Sequence, residues 1–126
     1  MRTIADEITG RPPTKKAKKA GRSPSALSTE TLTDLGYEVG TVERWIPGAN
    51  IRKDLFGFID LMAVHKETGE TLAVQATSRT NAASRVKKIT DSPLLAMVRK
   101  AGWRIEVHGW SKAAGNVWRA KVIDLS

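Results

Sequence analysis

The chain of 126 residues contains no cysteine and only two histidines. The absence of cysteine excludes disulfide bonds, thiol catalysis and zinc sites built on thiolates. His65 and His108 would need further ligands for a zinc site or a catalytic triad, so we expect both at strand surfaces. No apolar run approaches membrane-spanning length, and the first residues lack a signal-peptide core. These absences predict a cytoplasmic protein with no membrane partner.

Acidic residues are few relative to basic ones. The sequence has 21 Lys and Arg against 13 Asp and Glu, which gives a net charge of +8 and a pI near 10.1. Such a balance favours polyanionic partners, and the length allows one domain with a modest core. A nucleic-acid partner agrees with this charge, although ribosomal proteins and anti-restriction factors have the same profile.

The positive charge is concentrated near the start of the chain. Residues 1–22 hold seven basic and two acidic side chains, a net charge of +5, and residues 23–126 hold the remaining +3. Because this first segment contains prolines and shows no hydrophobic periodicity, we predict a disordered basic tail over 1–22 and a folded domain over 23–126. The tail would either contact phosphates in a salt-sensitive way or act as a solubiliser. Its candidate DNA-binding residues are Lys15, Lys16, Lys18 and Lys19.

Helix and strand signals in the remaining chain predict an α/β domain. Ser23 and Pro24 are typical of a helix start, and Gly36 is typical of the end of that helix. The other predicted helices begin near Asn81, which would cap the first of them, and at Leu94. The predicted strands are 37–46, 58–64, 71–76, 103–107 and 117–123. The order α-β-β-β-α-β-β indicates a mixed central sheet flanked by helices.

Two of these apolar strands contain polar residues. Segments 58–64 and 71–76 are joined by a four-residue hairpin loop at 66–69. Without a bulge, this loop length sets Asp60 opposite Gln75 on one face, with Cβ atoms roughly 5 Å apart. A buried carboxylate needs a hydrogen-bonding partner, a cation or access to water, and a divalent metal would satisfy this one.

This arrangement resembles the PD-(D/E)XK nuclease superfamily, in which an aspartate and an acid-x-lysine step on adjacent strands surround a metal. Ile59-Asp60 stands for the first step and Gln75-Ala76-Thr77 for the second. The resemblance covers about four-fifths of the chain, and its nearest branches are Holliday-junction resolvases and phage-type replication and repair nucleases. It implies a restriction-endonuclease-like α-β-β-β-α-β core, a Mg²⁺ or Mn²⁺ cofactor and DNA, branched or single-stranded, as substrate. Resolvase-like members usually act as dimers, so a homodimer is also implied.

Two positions depart from the family pattern. Thr77 stands where the family has lysine, and Gln75 stands for an acid but can still ligate through its carbonyl oxygen. Family members relocate the lysine to the neighbouring helix, where Arg85 and Lys88 lie one turn apart, and a first-helix acid often joins the metal. Asp54 is expected in a loop, either as an outer ligand or as a capping residue. The candidate catalytic residues are Asp60, Gln75, Thr77 and Lys88; the candidate metal ligands are Asp60, Gln75 and Glu30; and the candidate DNA-binding residues of the domain are Arg85, Lys87 and Lys88.

Two functions stay open on this basis. The first is a metal-dependent DNA endonuclease or resolvase, in which the metal activates water and neutralises developing charge. The second is a nuclease-like domain that has lost turnover and binds DNA through its basic residues. A third and weaker alternative is a small basic protein that mimics or blocks a nucleic-acid enzyme.

Overall fold

A computed structural model describes the backbone of residues 5–9 and the full residues 22–126. Its strands are β1 Ala5–Thr9, β2 Tyr37–Thr41, β3 Arg44–Ile46, β4 Ile51–Lys53, β5 Leu61–His65, β6 Thr71–Ser78, β7 Arg104–Ala113 and β8 Val117–Asp124. Its helices are α1 Pro24–Asp34, α2 Ala82–Thr90 and α3 Leu95–Lys100, with 3₁₀ turns at Arg79–Asn81 and Ala114–Asn116. The Ser23 hydroxyl caps α1 by accepting the Ala26 N–H at 3.1 Å, as its sequence predicts.

The protein has a mixed central sheet, which confirms the α/β class. Its six strands follow the order β1-β8-β7-β6-β5-β2, and a separate two-stranded sheet is made by β3 and β4. Only β6 and β7 run parallel in the large sheet, and the other neighbours are antiparallel. Because parallel neighbours need a long crossover, α2 and α3 lie in the connection between β6 and β7.

The core is divided between the two faces of the large sheet. On one face, α1 packs through Leu27 and Leu32 onto apolar residues of the strands. On the other face, α2 and α3 contribute Ile89, Leu95 and Val98 to the largest buried cluster. Both faces are therefore covered by helices, which explains why β6 is buried along nearly its whole length.

The β5–β6 hairpin has the predicted register. Leu61 pairs with Val74, and the His65 N–H donates to the Glu70 carbonyl at 2.9 Å across the four-residue loop. Asp60 lies one residue before β5, where its own N–H donates to the Val74 carbonyl at 3.0 Å. The hairpin thus brings Asp60 next to β6, as the loop length predicts.

The structure corrects three local predictions. The strand predicted over 37–46 is two strands in different sheets, because the chain leaves the ladder after Thr41 to form the β3–β4 hairpin. The Asn81 side chain makes no capping hydrogen bond, since its backbone already continues a 3₁₀ turn into α2. Residues 5–9, predicted within a disordered tail, form a strand that pairs with the edge of β8. The tail lysines Lys15, Lys16, Lys18 and Lys19 lie outside the described residues.

Among the helices that the structure describes, none is long and apolar enough to cross a membrane.

Candidate functional site

A cavity of about 400 Å³ opens beside Asp60. It lies where the first turn of α1, the β3–β4 hairpin, the loop before β5, the middle of β6 and α2 meet. Its lining residues are Ser23, Pro24, Ser25, Glu43, Arg52, Asp54, Asp60, Gln75, Ala76, Arg85 and Lys88. Three carboxylates and three cationic side chains therefore surround one space, which is a dense arrangement of charge for a chain of this size.

Asp60 is held in place by its neighbours on β6. Its carboxylate accepts the Ala76 N–H at 3.1 Å and the Gln75 side-chain N–H at 3.0 Å, and only 3% of the residue is exposed. Burial raises the pKa of Asp60 from 3.8 to about 7, while the Ala76 N–H opposes that rise. Near neutral pH, Asp60 is thus poised between its protonated and ionised forms.

Two further carboxylates act on Asp60 through space. The negative charges of Asp54 and Glu43 both raise the pKa of Asp60 further. Asp54 belongs to the loop before β5, where its carbonyl also accepts the Gly57 N–H at 3.0 Å. Asp54 also lines the cavity, so it lies both in the predicted loop and beside Asp60. A cation in the cavity would relieve the repulsion among these three groups.

The oxygen atoms around Asp60 suit a hard divalent cation. The Gln75 side-chain oxygen is buried and accepts no hydrogen bond from any residue that the structure describes. The carboxylates of Asp60, Asp54 and Glu43 line the same cavity, so the ligand atoms available there are oxygens, which Mg²⁺ and Mn²⁺ prefer. Across residues 22–126, no three Asp, Glu or His side chains lie close enough to form a ready-made metal cage. The donor chemistry fits Mg²⁺, which usually takes one or two carboxylates and keeps several waters.

Cationic side chains face the carboxylates across the cavity. Arg85 and Lys88 both line it, while Ile89 of the same helix is fully buried, so α2 has the orientation that its sequence predicts. The Arg85 Nε atom is buried and has no acceptor among the described residues. Lys87 points elsewhere, since its exposed ammonium pairs with Asp91 at 2.9 Å. Arg85 and Lys88 are therefore the α2 residues placed to meet an anion in the cavity.

Two residues predicted as a metal ligand and as a catalytic residue, Glu30 and Thr77, do not line the cavity. Glu30 forms an ion pair with Arg22, and it lies five residues beyond Ser25, roughly 7.5 Å farther along the axis of α1. Thr77 is buried opposite Gly109, beneath the start of α2. The geometry therefore gives no support to Glu30 as a metal ligand, because Glu30 pairs with Arg22 outside the cavity. It gives none to Thr77 as a catalytic residue, because Thr77 is buried away from the cavity.

A second polar cluster lies beneath α1. The Ser28 hydroxyl lies 2.8 Å from His108 Nδ1, and His108 Nε2 lies 3.1 Å from the Glu106 carboxylate. The order of groups is that of a serine hydrolase triad, but Ser28 is fully buried and its oxygen already accepts the Trp110 indole N–H at 2.8 Å. No substrate can reach this hydroxyl. The cluster instead fixes α1 on the sheet, and His108 lies in the interior rather than at the predicted strand surface.

Sequence reasoning missed Glu43 and Arg52 as cavity residues. They interact with each other, with 3.5 Å between the guanidinium nitrogen and the carboxylate oxygen. Glu43 lies within the strand predicted over 37–46, and Arg52 lies shortly after that strand. The Val42 N–H donates to the Asp60 carbonyl at 3.0 Å, so Glu43 is the next residue after a direct neighbour of Asp60. Local sequence carries no signal for this long-range pairing.

Comparison of the chain with protein-family models, curated proteins and solved structures finds no match in any of the three.

Proposed function

We propose that this chain is a divalent-metal-dependent DNA nuclease that hydrolyses a phosphodiester bond in the cavity beside Asp60. The observation that carries the proposal is the convergence of Glu43, Asp54 and Asp60 with Arg52, Arg85 and Lys88 around one space. Hydrolysis of a phosphodiester in a polyanion requires carboxylates that bind a divalent metal ion and basic side chains that bind the phosphate. The cavity has both.

Each group has a definite part in this chemistry. Asp60 and the Gln75 carbonyl oxygen would hold Mg²⁺ or Mn²⁺, with Asp54 and Glu43 as further oxygen donors nearby. The bound metal would supply a Lewis acid that lowers the pKa of water and offsets charge on the phosphate. Arg85 would contact a non-bridging phosphate oxygen through its guanidinium, which has an unpaired buried donor.

The element order supports a nuclease of the PD-(D/E)XK type. Along the chain, α1, β2, β5, β6, α2 and β7 follow the order α-β-β-β-α-β, with the β3–β4 hairpin and the short helix α3 as additions. Lys88 supports the expected relocation of the lysine, because it reaches the cavity from the helix that follows β6. We propose the restriction-endonuclease-like core on these two grounds.

The alternative is a nuclease-like domain that binds DNA without cleaving it. One observation favours this alternative: the Gln75 amide donates to Asp60, and so satisfies the carboxylate without a metal. Arg52 likewise approaches Glu43 and partly offsets its charge. Under this alternative the cavity would bind phosphate through Arg85 and Lys88 alone.

A cleavage assay separates these functions. Labelled single-stranded, duplex, flap and four-way-junction DNA, with RNA oligonucleotides of the same sequence, would be incubated with the protein in Mg²⁺, Mn²⁺ or EDTA. Asp60→Ala and Asp60→Asn remove the central carboxylate, while Glu67→Gln removes the same charge from an exposed loop far along the hairpin. We expect metal-dependent cleavage that both Asp60 variants abolish and that Glu67→Gln preserves.

Two results would count against the nuclease. Cleavage that persists in Asp60→Asn would show that the activity arises elsewhere or from a contaminant. Salt-sensitive binding of DNA without cleavage by the wild-type chain in either metal would support the inactive DNA-binding alternative.

A further inference from the structure

The β3–β4 hairpin carries a large exposed aromatic side chain close to the cavity. This hairpin stands apart from the large sheet, and Trp45 in β3 is 52% exposed. The other three tryptophans are placed differently. Trp110 is buried against Ser28, Trp103 stacks on Phe56, and the Trp118 ring lies 5.5 Å from the Lys112 ammonium.

Trp45 lies on the cavity side of its hairpin. In the β3–β4 register, Trp45 pairs directly with Arg52, and the flanking pairs join Arg44 to Lys53 and Ile46 to Ile51. Because side chains alternate between faces, Trp45 and Arg52 share one face and the flanking pairs share the other. Arg52 lines the cavity beside Asp60, so Trp45 shares the hairpin face that reaches this cavity, although Trp45 is not itself one of the lining residues.

Basic side chains outnumber acidic ones around Trp45, although Glu43 and Asp54 lie at the two ends of its hairpin. Arg44, Arg52 and Lys53 all belong to this short hairpin, and Arg85 and Lys88 face it across the cavity. Trp45 makes no ring contact with another residue that the structure describes. An exposed indole has a large apolar area in water, and a flat partner that carries negative charge would cover it most favourably.

We propose that Trp45 is a stacking platform for an unpaired nucleotide base whose adjoining phosphates contact Arg52 and Arg85. The ligand class is nucleic acid with unstacked bases, either a single strand or the unpaired part of a branched structure. A continuous duplex fits poorly, because its bases are stacked on one another and their faces are not accessible. This inference shares its nucleic-acid ligand with the proposed function, but binding at Trp45 requires neither a metal nor cleavage.

The binding test compares two oligonucleotides in EDTA, where metal-dependent cleavage cannot occur. A fluorescently labelled oligothymidylate and a duplex of equal length would be titrated with the wild-type chain, Trp45→Ala, Trp45→Phe and Ile51→Ala. Ile51 is the matched control, because it is 53% exposed on the same hairpin but points to the opposite face. Circular dichroism and thermal unfolding would establish that each variant is folded.

The expected result is a selective loss of single-strand affinity. Trp45→Ala should weaken oligothymidylate binding by roughly 5- to 150-fold, which corresponds to loss of one base-aromatic stack. Trp45→Phe should retain most of the affinity, because phenylalanine preserves an aromatic face. Duplex binding by Trp45→Ala, and both affinities of Ile51→Ala, should change by less than about threefold, as is usual for surface substitutions.

Intrinsic fluorescence gives a second measurement that does not depend on the alanine variant. Oligothymidylate should quench part of the wild-type tryptophan emission, and Trp45→Phe should lose that quenching. Equal weakening of single-strand and duplex binding by Trp45→Ala would overturn the stacking proposal. So would unchanged quenching in Trp45→Phe, or a wild-type chain that fails to bind the single strand.

The two proposals fail in different ways. If the wild-type chain cleaves DNA in Mg²⁺ while Trp45→Ala keeps its single-strand affinity and cleavage rate, the proposed nuclease function is supported and the stacking role of Trp45 is wrong. If Trp45→Ala loses single-strand affinity but the wild-type chain cleaves no substrate, the platform stands and the nuclease is wrong.

Discussion

Replacement of Asp60 by asparagine should make the stability of the protein less dependent on pH. The pKa of Asp60 rises from 3.8 to about 7 on folding, chiefly through burial. Between these two values the folded state keeps a proton that the unfolded state has released, so the free energy of unfolding falls as pH rises. Above the pKa of Asp60 in the folded state, this contribution to the free energy of unfolding is lost completely. Each pH unit in this window is worth about 1.4 kcal/mol, so ionised Asp60 lowers the stability by about 4 kcal/mol at most.

Asp60→Asn keeps the shape of the side chain without its charge. The asparagine oxygen can accept the Ala76 N–H, and a rotated Gln75 amide can present its unpaired oxygen to the asparagine N–H₂. We therefore expect a stability for Asp60→Asn that is nearly flat from about pH 4 to pH 7, and that exceeds the wild-type value above pH 7 by up to about 4 kcal/mol.

Urea unfolding in EDTA at several pH values measures this directly, with Glu67→Gln as the control for loss of an exposed acid. Added Mg²⁺ should stabilise the wild-type chain above pH 7, by about 2.7 kcal/mol at one hundred times the dissociation constant, and should not stabilise Asp60→Asn. If wild type and Asp60→Asn lose stability equally between pH 4 and pH 7, the buried carboxylate is not the source of the pH dependence and the reasoning fails.

Three other substitutions, with one control, test the packing of the sheet, the buried polar cluster and the cavity. Gly109→Ala should destabilise the fold by about 1–3 kcal/mol in urea unfolding, because its Cβ would lie 2.9 Å from that of Ala82; full stability would contradict this packing. Ser28→Ala should lower stability by about 1–3 kcal/mol, since it leaves buried polar partners unpaired, and a neutral effect would refute the buried network. Arg85→Ala should weaken DNA binding and reduce the slope of log affinity against log salt by about one, as anisotropy titrations would show. Lys87→Ala, which removes an ammonium already paired on the exposed face, should have a smaller effect, and equal effects would argue against phosphate binding at Arg85.

Sequence predicts the site best where contacts are local. The loop at 66–69 fixes the pairing of β5 with β6, and the alternation of side chains then places Asp60 beside Gln75. The amphipathic pattern of α2 is equally local, and it correctly turns Arg85 and Lys88 away from buried Ile89.

Prediction fails where residues meet through distant segments. Glu43 and Arg52 reach the cavity because β3 and β4 form their own sheet, and no periodicity within 37–53 indicates where the first strand ends. Trp45 is a large apolar residue in a strand, which by itself predicts burial. It is exposed because no other described element packs over that face of the β3–β4 hairpin, and the local sequence does not show this. Residues 5–9 join the sheet through backbone pairing with β8, which their sequence does not specify.

The topology of the sheet predicts an order in which its parts fold. The β5–β6 hairpin closes through a short loop, whereas β7 must cross over α2 and α3 before it pairs with β6. We therefore expect Asp60 and Gln75 to meet early, in contact with water, and the cavity to close around them only as the distant segments dock. Each docking step removes water from the carboxylate. Ionised Asp60 should thus slow the late steps of folding, and a proton, or under the proposed function a metal ion, should accelerate them.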